Sequence, residues 1–116
     1  MARKPTVPWS VREALYRRSG NRCERCAVLR RTGLTVSHRQ PRGMGGKRED
    51  WGDLSQWNLL CAPCHLTFVE RNPRDATRDG WKVPAGLRTT IAPVKTWQGW
   101  AFLTPDGGYA WPPQAV

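Results

Sequence analysis

The sequence predicts a small α+β fold stapled by a four-cysteine metal site, with a helix on its N-terminal side and a short β-rich segment at its C-terminal end. Three observations predict it. All four cysteines fall into two Cys-x-x-Cys pairs, Cys23/Cys26 and Cys61/Cys64. Apolar residues change along the chain from helical spacing to alternation and back. A chain of 116 residues with 39% hydrophobic content is one domain with a modest core, the kind of core that gains from a staple.

Taken in order, residues 1–9 form a basic, proline-containing arm. Ser10-Val11-Arg12-Glu13 reads as a capping box that starts a helix, with Val11, Ala14 and Leu15 as its apolar stripe and Ser19-Gly20-Asn21 as its end. Cys23 to Cys26 is a tight knuckle. Leu34 to Gln40 alternates and predicts a short strand with His38 on the Leu34/Val36 face. Pro41 to Asp53 is a long loop with glycines at 43, 45, 46 and 52, and a loop of that length in a small domain is more often functional than idle. Leu54 to Leu60 returns to the second knuckle. From His65 a helix of about two turns follows, offering Leu66, Phe68 and Val69 for packing. Asn72-Pro73 opens a further short helix that stops at Gly80. Trp81 to Val83 reads as a strand, and Trp100 to Trp111 as a hairpin turning on Pro105-Asp106-Gly107-Gly108. The organisation is therefore an arm (1–9), a metal-built module (10–83) and a Trp-rich hairpin extension with a tail (84–116). Trp81, Trp97, Trp100 and Trp111 are expected to pack a small C-terminal core or to lie against the metal module.

The net charge is +10, and it is uneven. Residues 1–48 hold 13 Lys/Arg against 2 Asp/Glu, and residues 49–116 hold 6 against 7. The whole excess surrounds the first knuckle and the glycine run, which points to a polyanion, nucleic acid above all, as the partner. Arg39, Arg42, Lys47 and Arg48 flank the glycines, where backbone can approach a phosphate closely, and are expected to grip a DNA backbone with little sequence preference. No apolar run is long enough to span a membrane, and the basic start has no signal-peptide apolar region behind it. A cytoplasmic setting follows as the expectation, and there paired cysteines serve as metal ligands more often than as disulfides or redox pairs.

Two knuckles, each offering adjacent thiolates, suit a tetrahedral zinc with Cys23, Cys26, Cys61 and Cys64 as ligands. A closed four-thiolate site has no open position, so this zinc is structural and contributes to folding. The two histidines sit beside this staple. His65 directly follows the last cysteine, and on a helix its ring diverges from Cys64 by about 100°. It can thus serve a second metal while the zinc fixes its backbone. His38 ends a strand that opens into the glycine loop, and a neutral imidazole there can take a proton from water.

Cys-x-x-Cys, then Ser37-His38-Arg39-x-Pro41-Arg42-Gly43-Met44-Gly45-Gly46, then Leu59-Leu60-Cys61-x-x-Cys64-His65 resembles the zinc-containing HNH endonucleases, more narrowly the small ones of bacteriophages and prophages. The resemblance covers about residues 10–83. It implies a ββα-metal (His-Me finger) core and a metal-dependent endonuclease that nicks or cuts double-stranded DNA. His38 would be the general base and His65 a ligand of a catalytic divalent ion, Mg, Mn, Ni or Zn. The family's residue before the base is an Asp or His metal ligand. Here it is Ser37, so either Ser37 binds the catalytic ion weakly, or water or another oxygen, Glu70 for example, fills the place. The family's bracing asparagine corresponds to Gln56 by spacing and to Asn58 by chemistry. The resemblance also implies work beside a phage packaging terminase in the host cytoplasm. A zinc-stapled DNA-binding module without catalysis is the alternative, favoured by Ser37 and Gln56, and a thiol redox protein is a third reading.

Overall fold

The computed structural model describes residues 7–40 and 51–112. The arm up to residue 6, most of the glycine loop with Arg42, Lys47 and Arg48, and the last four residues of the tail lie outside them.

Helix α1 (Trp9–Ser19) buries Val11 and Leu15 and leaves Arg17 outside. Its start differs from the expected capping box. Pro8 is the N-cap, its carbonyl accepting from the Val11 and Arg12 amides, so Ser10 is already inside the first turn. Proline fixes the backbone angle that leads into a helix, and this start precedes the box by two residues. Glu13 turns instead to Arg17, one helical turn on, at 2.9 Å. The end is as expected: Gly20 is left-handed (φ 66°), and the Asn21 amide reaches back to the Tyr16 carbonyl at 2.9 Å.

Strands β1 (Thr35–His38) and β2 (Trp57–Leu60) form an antiparallel ribbon in which Thr35 faces Leu60, Ser37 faces Asn58 and His38 faces Trp57. A single 3-10 turn, Leu54–Gln56, leads into β2. After Leu60 the chain enters the second knuckle and then a π helix, Pro63–Val69. Val69 of that helix is buried and Phe68 packs against the core, whereas Leu66, expected to pack, is exposed. Helix α2 (Pro73–Arg78) follows, ending before the left-handed Gly80.

Trp81 to Val83 is not a strand. Its amides go to separate places, Trp81 and Lys82 to the Ala76 carbonyl and Val83 to the Arg39 carbonyl at 2.6 Å. The C-terminal sheet is β3 (Val94–Thr96), β4 (Gly99–Leu103) and β5 (Tyr109–Ala110), in that order and antiparallel throughout. The expected hairpin is its β4–β5 half. Trp81 is buried, but Trp97, Trp100 and Trp111 stand 45%, 43% and 51% exposed, so only one of the four tryptophans expected to pack does so. Trp57 is the other buried indole.

One apolar core runs across the expected boundary at residues 83/84. Val11 and Leu15 of α1, Leu59 and Leu60 of β2, and Val94 and Leu103 of the C-terminal sheet belong to it. No described helix is long and apolar enough to cross a membrane.

Candidate metal centre and histidine face

The four cysteines come together as the spacing predicts. The first knuckle is closed by the Cys23 amide donating to the Val28 carbonyl (3.0 Å) and the Ala27 amide donating to the Cys23 carbonyl (2.9 Å). The second is closed by the His65 amide donating to the Cys61 carbonyl, also at 2.9 Å. All four sulfurs lie within 4.8 Å of one another, with the Cys26 and Cys61 sulfurs 3.6 Å apart, and none is in a disulfide. Sulfurs held about 2.3 Å from a tetrahedral zinc are about 3.8 Å apart, so the cluster fits a structural metal such as zinc.

The electrostatics suit the same group. A hydrogen bond from Cys64 holds the Cys23 thiol down to about 4, against the opposing effect of burial. Cys64 is pushed up by that bond and by burial, and Cys61 is pushed up mainly by burial. A dication held here would displace the shared protons and take all four sulfurs as thiolates. Arg25 is placed to answer the negative charge such a centre would carry. Its guanidinium lies 3.4 Å from the Cys64 sulfur and 3.5 Å from the centre of the Phe68 ring.

The ribbon separates the remaining candidates by face. His38 is half-buried on one face, its ring 4.0 Å from that of Trp57 and tilted by 40°. Trp57 in turn stacks on Trp51 at 4.3 Å. Ser37 and Asn58 share the opposite face, since side chains alternate along a strand. Ser37 is buried, with its hydroxyl turned toward the His38 carbonyl at 3.5 Å. Asn58 is fully buried and donates its side-chain amide to the Trp81 carbonyl at 3.3 Å, while its Oδ1 has no hydrogen-bond partner among the described residues. Gln56 instead lines a surface cleft of about 340 Å³ with Gln40, Asp53 and Arg88. His65 is accessible on the π helix, its Nε2 3.5 Å from a Glu70 carboxylate oxygen.

Arg39 departs from its expected role. It is 1% exposed and donates to the carbonyls of Gly80 (3.2 and 3.0 Å), Ser55 (2.8 Å), Thr89 (2.9 Å) and Ala92 (2.8 Å). Burial lowers its guanidinium to about 10, which still leaves it charged at neutral pH with every donor engaged. Arg39 is a buried tie between the ribbon and residues 80–92, and it has no group free for a phosphate.

The sequence reading also missed a second tie. Arg18 and Glu24 form a buried two-bond pair at 2.7 and 3.0 Å. Arg18 also donates to the Leu54 and Trp57 carbonyls, and Glu24 accepts from the Leu59 amide and the Tyr109 hydroxyl. One signal was present: Glu24 is one of only two acidic residues among the first 48, and an acid in so basic a stretch is a ready partner for an arginine.

Comparison with protein-family models, curated proteins and solved structures gives no match for this chain.

Proposed function

We propose that the chain is a metal-dependent DNA endonuclease of HNH type, hydrolysing phosphodiester bonds with His38 as general base and His65 as ligand of a catalytic divalent ion. The observation that supports this best is the continuity of one structural unit. The strand bearing His38 pairs with the strand that runs into the second knuckle, and that knuckle hands His65 to an accessible helical position. A ββα-metal core is the finer reading of this unit.

On this reading His38 takes a proton from the attacking water. A divalent ion held at His65 would polarise the scissile phosphate and stabilise the leaving oxygen. Asn58, whose amide joins β2 to the Trp81 carbonyl, suits the bracing role better than Gln56 at the cleft. Arg42, Lys47 and Arg48 are the proposed backbone grip, and double-stranded DNA is the partner. Work beside a phage packaging terminase belongs to the same proposal. The burial of Ser37 favours a second reading, a zinc-stapled DNA-binding module without catalysis.

Supercoiled plasmid incubated with the zinc-loaded protein and Mg, Mn or Ni separates the two. Conversion to nicked or linear DNA, slowed about 10²–10⁴-fold in His38→Ala, is the expected result. Retardation of the plasmid without conversion in any of the three metals leaves the binding module standing in its place.

A further inference from the structure

We infer that His65 and Glu70 together form a second divalent-cation site. The purpose of this site rests on the nuclease reading, but its ligand set does not.

The helix type carries the inference. In an α helix a residue five positions on points about 140° away, so Glu70 would turn from His65. Here the Glu70 amide donates to the His65 carbonyl at 3.1 Å, the i to i+5 bond of a π helix, and the two side chains return to one side. His65 Nε2 and Glu70 Oε1 then lie 3.5 Å apart, with side chains 22% and 52% exposed. Two donors about 2.1 Å from one ion are about 3.0 Å apart at adjacent octahedral corners and about 3.4 Å apart at tetrahedral ones. The pair is therefore within a few tenths of an ångström of a shared ion. π-helical turns are rare and concentrate at functional sites, where they re-aim side chains.

The rest of the neighbourhood agrees. The backbone of His65 is tied to Cys61, so the sulfur cluster positions the imidazole without sharing it. A partly exposed His–carboxylate pair of this kind is worth little as a surface ion pair. One imidazole and one carboxylate favour Ni, Zn, Co or Mn over the oxygen-seeking Mg and Ca, and they leave open positions for water or a phosphate oxygen.

The test is calorimetric titration of Ni2+ into the untagged, zinc-loaded full chain, with zinc content and melting temperature recorded for every variant. One Ni2+ beyond the zinc is expected. Glu70→Gln and His65→Ala should each weaken it at least about tenfold with zinc content unchanged. His38→Ala, which removes the only other histidine, should leave it as it was. Wild-type affinity in Glu70→Gln, or no Ni2+ bound beyond the zinc in the wild type, overturns the inference. A second ion lost in Glu70→Gln, in a wild type that cleaves no DNA with any metal, keeps this site and removes the nuclease reading instead.

Discussion

The cysteine end and the arginine end of the molecule solve one problem with opposite chemistry. At the first, residues 23–26 and 61–64 converge through four sulfurs that could share one metal ion, a partner the chain does not encode. At the second, Arg39 with four carbonyls ties distant segments using charge supplied by the chain itself, and Arg18 pairs with Glu24, which lies inside the first knuckle and so links the two ends. Strand β2 belongs to both. Its Leu60 leads into Cys61, while its Trp57 carbonyl and Leu59 amide are held by Arg18 and Glu24. The strand that orders the histidines is thus held conditionally at one end and unconditionally at the other. The difference teaches that metal loss should loosen the knuckles and the histidine face, whereas loss of an arginine tie should release the C-terminal sheet.

The largest effect expected is that of metal removal. Structural zinc in small domains supplies an apparent ~10–16 kcal/mol to folding. A strong chelator should release one zinc per chain and abolish the cooperative thermal transition, as should Cys61→Ser. A chelated protein with an unchanged transition would break the comparison at once. Next comes Glu24→Ala, which leaves the Arg18 guanidinium buried without its carboxylate, at a cost of about 3–5 kcal/mol in urea unfolding. The double change Arg18→Met with Glu24→Leu should be milder than the single one, because neither charge is then stranded.

The cysteine end was legible in the sequence and the arginine end was not, for a physical reason. Metal ligation needs particular residue types at short fixed spacing, so Cys-x-x-Cys declares itself before any fold is known. Strand β1 and the helical turns after the second knuckle were legible too, through alternation and punctuation, whereas residues 54–60 read only as a return to that knuckle. A buried arginine has no such signature. Arg39 sits among basic residues beside a glycine run, where exposure is the ordinary state, and its acceptors are carbonyls 16 to 53 residues away. The π winding at His65 was equally silent, because apolar spacing over seven residues does not distinguish it from an α helix.

Tyr109→Phe sharpens the comparison at a smaller scale. The mutation removes the hydroxyl donated to Glu24 but leaves the Arg18 pair intact, so the cost should be about 1.5–3 kcal/mol, the range for a hydrogen bond to a charged group. Burial, then the neighbouring Glu24 carboxylate, raises the phenol above its ordinary value of 10.0. The folded protein therefore keeps a proton that the unfolded chain releases. This contribution is complete below pH 10 and is lost as pH rises above it. Arg39 acts oppositely, since its folded value is lowered to about 10 and the unfolded chain holds more protons above that. The Arg39 effect is common to wild type and variant. The difference between their alkaline unfolding curves isolates Tyr109, and the wild-type advantage should shrink above pH 10. A constant difference across that range would show that the phenol is not held by Glu24.

The smallest effect lies back at the cysteine end. Ala27 closes the first knuckle with φ 71°, a left-handed conformation in which an L side chain crowds its own backbone. That crowding costs about 1–2 kcal/mol. Glycine adopts the conformation freely but gives up about 0.5–1 kcal/mol through the greater freedom of the unfolded chain. Ala27→Gly should therefore stabilise the zinc-loaded protein by up to about 1 kcal/mol, a rise of a few degrees in melting temperature. The exchange in the other sense behaves differently at the arginine end. Gly80 is also left-handed (φ 83°), but a Cβ there would lie 1.9 Å from the Pro93 carbonyl oxygen, and its own carbonyl accepts twice from Arg39. Gly80→Ala should be strongly destabilising while zinc content is retained. If Ala27→Gly instead lowers both melting temperature and zinc affinity, the alanine methyl is packing the knuckle, and the cysteine end is held by more than its ion.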